Sequence, residues 1–348
     1  MRSYKDHLIK SDSSIKNALK KLNFLAKDAI LFVINNNNQL LGSITDGDIR
    51  RGFLKGNKLD GNIDGLYRKD PKFISKEDFD LQKIITLREL NYKIFPVVDN
   101  QNVIINVVNF RKLKSFLPVD TVIMAGGKGI RLMPLTSNIP KPLLNVGEKP
   151  IIQHNIDRIL SFGIHNLWIS INYLGDLIER HINNHTNKNI NVNFIKEDKP
   201  MGTIGSLSKV NNFVHDYILL TNSDIITNLD YEQFFLNFVQ QNADISVATV
   251  PYNVSIPYGV LESSNGHIIS LKEKPTYTYY SNAGIYLIKK EILKYLPKNS
   301  FFNSTDLIEL LIKKKKKVIS YPMSCYWVDI GQHQDYEKAN KEIKNIKF

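Results

Sequence analysis

One stretch restricts the fold of this 348-residue chain more than any other. The apolar run Thr121-Val-Ile-Met leads straight into Ala125-Gly126-Gly127-Lys128-Gly129-Ile130-Arg131-Leu132-Met133-Pro134-Leu135-Thr136, and Pro140-Lys141-Pro142-Leu143 follows. A strand that delivers a glycine-rich loop and then two basic residues belongs at the carboxyl edge of an α/β sheet, where such sheets bind ligands. Glycines let the backbone come close to a ligand and turn N–H groups toward anionic oxygens. Arg131 and Lys141 can neutralise polyphosphate charge. A dinucleotide-binding turn would need a third glycine where Leu132 stands, and a P-loop would need Gly-Lys-Ser/Thr; neither is present.

The rest of the chain beyond Val119 agrees with such a sheet. Strands are expected at residues 121–125, 166–171, 190–195, 217–221 and 245–250, and helices at 151–162, 174–185, 204–211 and 231–241. Strands that alternate with helices predict an α/β fold with a mostly parallel sheet. Two aspartates follow apolar strands: Asp224 in Thr221-Asn-Ser-Asp224-Ile and Asp329 in Tyr326-Trp327-Val-Asp329-Ile-Gly331. A single aspartate there is usually a turn or cap residue. A hard cation that bridges phosphates needs only one or two carboxylates plus water.

A formal charge of +12 raises the question of nucleic acid. The lysines are scattered, however. The one block, Lys313 to Lys317, follows an apolar stretch and reads as the solvated end of a helix, so no nucleic-acid partner is expected. No apolar run is long enough for a membrane span, and Met1-Arg-Ser-Tyr-Lys-Asp lacks the core of a signal peptide. The single cysteine, Cys325, fits a cytoplasmic protein.

The first third carries a repeat. Residues 33–45 match residues 97–109 without a gap, each reading as strand, Asn/Asp turn, strand. Helical patterns precede both copies, at 14–22 and at 81–90; Ser11, Ser13 or Ser14 would cap the first, and Ser75 with Asp78 would open the second. The boundary falls near Lys114-Ser-Phe-Leu-Pro118, dividing residues 1–117 (repeats about 1–60 and 61–117) from residues 118–348.

These motifs resemble two families. The two copies are similar to the repeats of a CBS pair, an α+β module. The first carries Leu41-Gly42-Ser-Ile-Thr45-Asp46-Gly-Asp48-Ile-Arg50-Arg51, and the resemblance implies an adenine nucleotide whose ribose meets Thr45 and Asp48. The second has Asn109-Phe110-Arg111 at that place and departs from the pattern. A capped helix after a hairpin is the other reading of Thr45 and Asp48. The string from Gly126 to Thr136 with Pro140-Lys141-Pro142 resembles the signature of sugar-1-phosphate nucleotidyltransferases, over roughly Val119 to Tyr336.

That second resemblance implies a Rossmann-like, GT-A-like sheet and a set of roles. Ala125, Gly126, Gly127 and Gly129 would lie against the nucleotide, with Gly202 and Thr203 of Met201-Gly202-Thr203-Ile204-Gly205 beside it; Thr203 is otherwise a helix cap. Arg131 would hold the β- and γ-phosphates, and Lys141 would bridge the α-phosphate and the sugar phosphate. Asp224 and Asp329 would hold Mg2+. Gly259, Glu273, Lys274, Asn282 and Gly284 would form the sugar side.

The implied reaction joins an NTP and a sugar 1-phosphate into an NDP-sugar and pyrophosphate. Its nucleophile is already an anion, so no general base is required. The arrangement resembles the glucosamine-1-phosphate guanylyltransferases of legionaminic acid pathways, which implies GTP and glucosamine 1-phosphate. Mannose, glucose or heptose 1-phosphate with GTP, UTP, CTP or dTTP stay open. A CBS pair further implies a homodimer or larger assembly. A catalytically dead adenylate sensor is the rival reading, and the presence of Arg131, Lys141, Asp224 and Asp329 argues against it.

Overall fold

The computed structural model describes residues 3–185 and 190–346, and the chain divides into two compact units, Met1–Phe116 and Leu117–Phe348.

The N-terminal unit is built twice over. The strand Leu8–Lys10, the helix Ile15–Leu25 and the hairpin Leu31–Ile34/Leu40–Ile44 form a three-stranded sheet, its first pair parallel and its second antiparallel. Ile74–Ser75, the helix Leu81–Glu89 and the hairpin Ile94–Val98/Ile104–Asn109 repeat the order and both pairings. Even the irregularities repeat: each hairpin breaks register at the same place, Val33/Ile34 and Val97/Val98. Each turns through a left-handed asparagine, Asn38 (φ 61°) and Asn102 (φ 60°), a conformation asparagine tolerates well. The two tips join, with Leu40 N donating to Asn102 O at 2.9 Å and Ile104 N to Asn38 O at 3.2 Å. Phe32, Ile34, Leu40, Val98 and Ile104 form one shared apolar cluster beneath them.

Ser14 caps the first helix as expected, accepting from Asn17 N. The second helix is opened by Asp80, which accepts from Lys83 N at 3.0 Å, and not by Ser75 with Asp78. Ser75 Oγ accepts from Asp78 N and closes a turn just upstream, which leaves the first-turn amide of Lys83 to Asp80.

The second unit centres on a seven-stranded sheet. In spatial order its strands are Asn191–Lys196, Asn166–Ile171, Val119–Met124, Tyr217–Asn222, Thr276–Lys289, Ile245–Ser255 and Val318–Pro322. Every strand is parallel to the rest except Thr276–Lys289, which is antiparallel to both neighbours. Helices cover it at Ile151–Ser161, Gly175–His185, Tyr231–Gln240 and Ser304–Lys313. Tyr231, Phe234, Phe235 and Phe238 are buried at helical spacing, which is why that segment coils and docks. The lysine block does begin at the end of a helix, whose last residue is Lys313.

One expected helix is absent. Residues 204–211 make only a short 3-10 turn, Gly205–Lys209, with Val210 already extended. Ser208 Oγ donates back to Gly205 O at 2.7 Å, and a Cβ at Gly205 would stand 2.6 Å from Ser300 O. The local hydroxyl and the close backbone contact fix the segment outside the α-helical path. No helix among the described residues is long and apolar enough to cross a membrane.

Candidate active site

Val119–Met124 and Tyr217–Asn222 are neighbours in register, with Thr221 opposite Ile123 and Asn222 opposite Met124. The glycine-rich loop and the Ser223–Asp224 turn therefore leave the sheet side by side. Ser223 N donates to Met124 O at 3.1 Å, and buried Asn155 of the covering helix donates to Ser223 O at 3.2 Å, which fixes the turn from below. A two-stranded ribbon then brings in the second carboxylate. Ile225–Thr227 pairs with Trp327–Asp329, placing Ile225 opposite Asp329, and Ile330 N donates to Asp224 O at 3.0 Å. Two residues far apart in sequence thus share one edge.

The loop closes over this edge. Gly129 has φ 63°, and a Cβ there would stand 3.1 Å from the Cβ of Lys141 and from Thr136 Cγ2. Thr136 Oγ1 donates to Gly129 O at 2.9 Å. Nothing lies within 4 Å of a Cβ position at Gly127, so that face is open to a ligand. Ala125 is buried, its N–H donating to Ser170 O at 2.8 Å. Arg131 lies in the neighbourhood of Asp329: a Cβ at Gly331 would be 3.8 Å from Arg131 Nη1 and 3.9 Å from Asp329 Oδ1.

The electrostatics explain what the cluster can do. Lys141 Nζ donates to Asp224 Oδ2. Asp224 Oδ1 is buried without a hydrogen-bond partner. Burial, and then the negative charge of Asp224, push the Asp329 carboxyl up to about 6, with Lys141 and Arg131 pulling it back. Two carboxylates that repel each other, one with an orphaned oxygen, are a donor set that a hard divalent cation would satisfy. No group of three or more His, Cys, Asp or Glu side chains around one point occurs among the described residues. A pair fits a cation that keeps waters and phosphate oxygens as its other ligands.

The remaining candidates fall into two groups. Gly202 (φ 77°) packs on the backbone of Phe302, where a Cβ would meet Phe302 O at 2.5 Å. Thr203 is not the cap of the turn that follows it. Its Oγ1 accepts from Ser304 N at 2.8 Å, at the start of another helix, because the chain at 300–304 lies against the loop. Asn282 Oδ1 accepts from Gly284 N at 2.9 Å, and Gly284 sits so close to Asn222 that a Cβ would approach its Nδ2 to 2.7 Å. Asn282 and Gly284 therefore stand beside the Asp224 turn. Gly259 and Glu273 lie against each other, with a Cβ at Gly259 3.1 Å from Glu273 Oε2. Glu273 and Lys274 are exposed on the outer ribbon, and no hydrogen bond from either to Asp224 or Asp329 is found among the described residues.

Two residues escaped the sequence reading. Glu197 is buried beside Gly126, accepting from Ser170 Oγ at 2.6 Å and from Met201 N at 3.0 Å, and so anchors the 201–203 loop. Its only sequence signal is its place after a strand. Asp335 accepts from Gln332 N at 2.9 Å in a capping box and adds to the negative field at Asp329. The Gln332-x-x-Asp335 spacing announces that cap.

In the N-terminal unit Thr45 and Asp48 also form a capping box. Thr45 Oγ1 and N both donate to Asp48 Oδ2, at 2.6 and 2.9 Å. Arg51 and Arg68 pair with the other oxygen. The carboxylate is engaged on every side, and these bonds hold its acidity above the ordinary range against the cost of burial.

Comparison with known proteins places these observations. The nucleotidyl transferase family model matches residues 120–346, and the CBS domain model matches residues 5–55. The chain is 32% identical over 232 residues to the bifunctional protein GlmU of Methanocaldococcus jannaschii, covering 65% of this chain and 54% of that one. It is 26% identical over 230 residues to the D-glycero-alpha-D-manno-heptose 1-phosphate guanylyltransferase of Aneurinibacillus thermoaerophilus, covering 65% of this chain and 99% of that one. Relative to the GlmU proteins, the chain spans about half of their length. A crystal structure of HddC from Yersinia pseudotuberculosis complexed with GMP-PN superposes with a TM-score of 0.51 at 26% identity, covering 65% of this chain and 99% of that one. With its glycine-rich loop, its paired carboxylates and a matching segment that spans most of the sequence, the chain belongs to the nucleotidyl transferase family and carries a CBS domain at residues 5–55.

Proposed function

We propose that this chain transfers a nucleotidyl group from an NTP to a sugar 1-phosphate and releases pyrophosphate. The observation that carries this reading is the meeting of Arg131, Lys141, Asp224 and Asp329 at one sheet edge, under an open glycine loop. A sugar phosphate oxygen forms a bond to the α-phosphorus while the α–β bridge bond breaks, and the electron pair leaves with pyrophosphate. The obstacle is repulsion between two anions. Arg131 on the outer phosphates and Lys141 between the α-phosphate and the sugar phosphate offset it and hold the attacking oxygen in line. Asp224 and Asp329 would hold Mg2+, which supplies further positive charge when bound. Gly126, Gly127 and the Gly202–Thr203 loop line the nucleotide, and Gly259, Glu273, Lys274, Asn282 and Gly284 the sugar.

The donor we propose is GTP. The heptose 1-phosphate guanylyltransferase among the relatives and the GMP-PN complex of HddC support it. The acceptor we propose is glucosamine 1-phosphate, on the likeness of a CBS pair ahead of a short transferase to enzymes of legionaminic acid pathways. An adenine nucleotide at the N-terminal unit and self-association through it complete the proposal.

The test is a matrix of NTPs against sugar 1-phosphates with Mg2+, scored by pyrophosphate release. GTP with glucosamine 1-phosphate should give the highest rate. Asp224→Asn should lower turnover at least about a hundredfold in a protein that still folds. Near-normal release by that variant would refute the role given to the carboxylates.

A further inference from the structure

A polar chain runs through the core between the two halves of the proposed site. Asn282 Nδ2 donates to Tyr286 Oη at 2.8 Å. Tyr286 Oη and Ser304 Oγ are 2.8 Å apart. Thr203 Oγ1 donates to Ser304 Oγ at 3.2 Å and accepts from Ser304 N at 2.8 Å. The two ends, Asn282 and Thr203, are exposed, while Tyr286 and Ser304 are only 3% and 4% accessible.

The middle of this chain is out of keeping with its surroundings. Tyr286 belongs to an apolar cluster with Val122, Ile204, Ile218, Val247 and Leu307. Apolar side chains of similar shape would satisfy such a core at least as well, because buried hydroxyls cost free energy unless fully bonded. Here they are bonded, and the bonds have a direction. The Asn282 amide fills one lone pair of the tyrosine oxygen, which leaves the phenolic proton for Ser304.

The effect on Asn282 can be counted. Its Oδ1 takes the Gly284 N–H and its Nδ2 gives one proton to Tyr286. The carboxamide is thereby fixed in one orientation, with one N–H and one lone pair left on its exposed edge. That is a matched donor and acceptor for hydroxyls of a sugar ring. At the other end, Thr203 N donates to Asn303 Oδ1 at 3.3 Å and Gly202 rests on Phe302, so the nucleotide-side loop is tied to the segment that carries Ser304.

We infer that Tyr286 and Ser304 are positioning residues that set the orientation of Asn282 for the sugar and link it to the Gly202–Thr203 loop. The inference rests on the reading of Asn282 as a sugar contact. Neither residue touches substrate; both act through Asn282 and Thr203.

Tyr286→Phe tests it, because the ring and its packing are kept. With GTP and the best acceptor of the matrix, KM for the sugar phosphate should rise about tenfold, the effect of one neutral hydrogen bond, with kcat changed far less. Ser304→Ala should raise the same KM. In an Asn282→Ala background the added effect of Tyr286→Phe should shrink below about twofold. Amide exchange in the substrate-free protein gives a readout independent of activity: Gly284 and Ser304 should exchange faster in Tyr286→Phe. A purely structural role would lower the melting temperature and leave KM alone, or would give fully additive effects, and either result overturns the inference. Faster exchange together with an unchanged KM in Asn282→Ala would overturn the sugar-contact reading beneath it. Inactivity of the parent protein would instead fall on the transferase reading.

Discussion

Asp329→Asn should stabilise the protein when no divalent cation is present. In the fold this carboxyl rises from 3.8 to about 6, through burial first and the neighbouring Asp224 second. Between those values the folded chain binds more protons than the unfolded one, so stability falls as pH climbs through the window and stays low above it. Full desolvation would make the loss about 3 kcal/mol. Asp329 keeps a solvent face, and screening reduces the figure to about 1 kcal/mol. Asparagine has the shape of the protonated acid and leaves the main-chain bond of Asp329 O to Gly331 N in place. For a unit of this size the gain corresponds to roughly 2–4 °C in Tm. Thermal melts of parent and variant in EDTA across the acid-to-neutral range would show the difference at neutral pH and its disappearance in acid. A cation held by the carboxylate pair would favour the parent alone and reverse the order. A variant less stable than the parent at neutral pH in EDTA, or a gap that ignores pH, would refute the account.

Lys141→Ala should lower turnover at least about a hundredfold, as for loss of a charge-stabilising group, yet strengthen binding of Mn2+ alone, because the ammonium no longer competes for Asp224; electron paramagnetic resonance titration without nucleotide checks it. Asp48→Ala should destabilise the N-terminal unit by about 1–3 kcal/mol through loss of the capping box and release of Arg51 and Arg68. Denaturant melts should show that loss without any nucleotide, and AMP or ATP should raise the Tm of the parent and not that of the variant.

Much of the fold was legible because its signals are local. The tyrosine and phenylalanines of residues 231–238 fall at helical spacing, and Ile218-Leu219-Leu220 is a short apolar run for a strand buried on both faces. The duplicated hairpins announced themselves through matched turns. What failed to show depends on distant partners. Residues 204–211 have a plausible helical composition, but Gly202 and Gly205 lie against Phe302 and Ser300, and that contact decides the conformation. Thr203 looks like a cap and does bond a helix amide, although the amide belongs to Ser304. Asp80 displaced Ser75 and Asp78 because its side chain accepts the free first-turn amide of Lys83, while Ser75 is engaged by Asp78 N upstream.

The site follows the same division. Arg131 and Lys141 are legible from the loop that carries them, since a short sequence fixes both the glycine backbone and the cations. The carboxylates are legible only through the family resemblance: by chemistry alone, an aspartate after a strand, as Asp224 and Asp329 both are, reads as a turn residue. They gain their chemistry from the ribbon that pairs Ile225 with Asp329, a contact made outside the main sheet. That placement also keeps the repulsion cheap. Asp224 draws Lys141, Asp329 feels the charge of Arg131, and the two acids stand past the strand ends, while the strand from Asp120 to Met124 stays paired to both neighbours. A fold can therefore tolerate two opposed acids at its edge, and the cations that make this tolerable are those an incoming polyanion would draw away. If phosphates were to draw Lys141 and Arg131 away, the repulsion that already raises the Asp329 carboxyl would grow, and a cation at the pair would then be held more tightly than in the substrate-free protein.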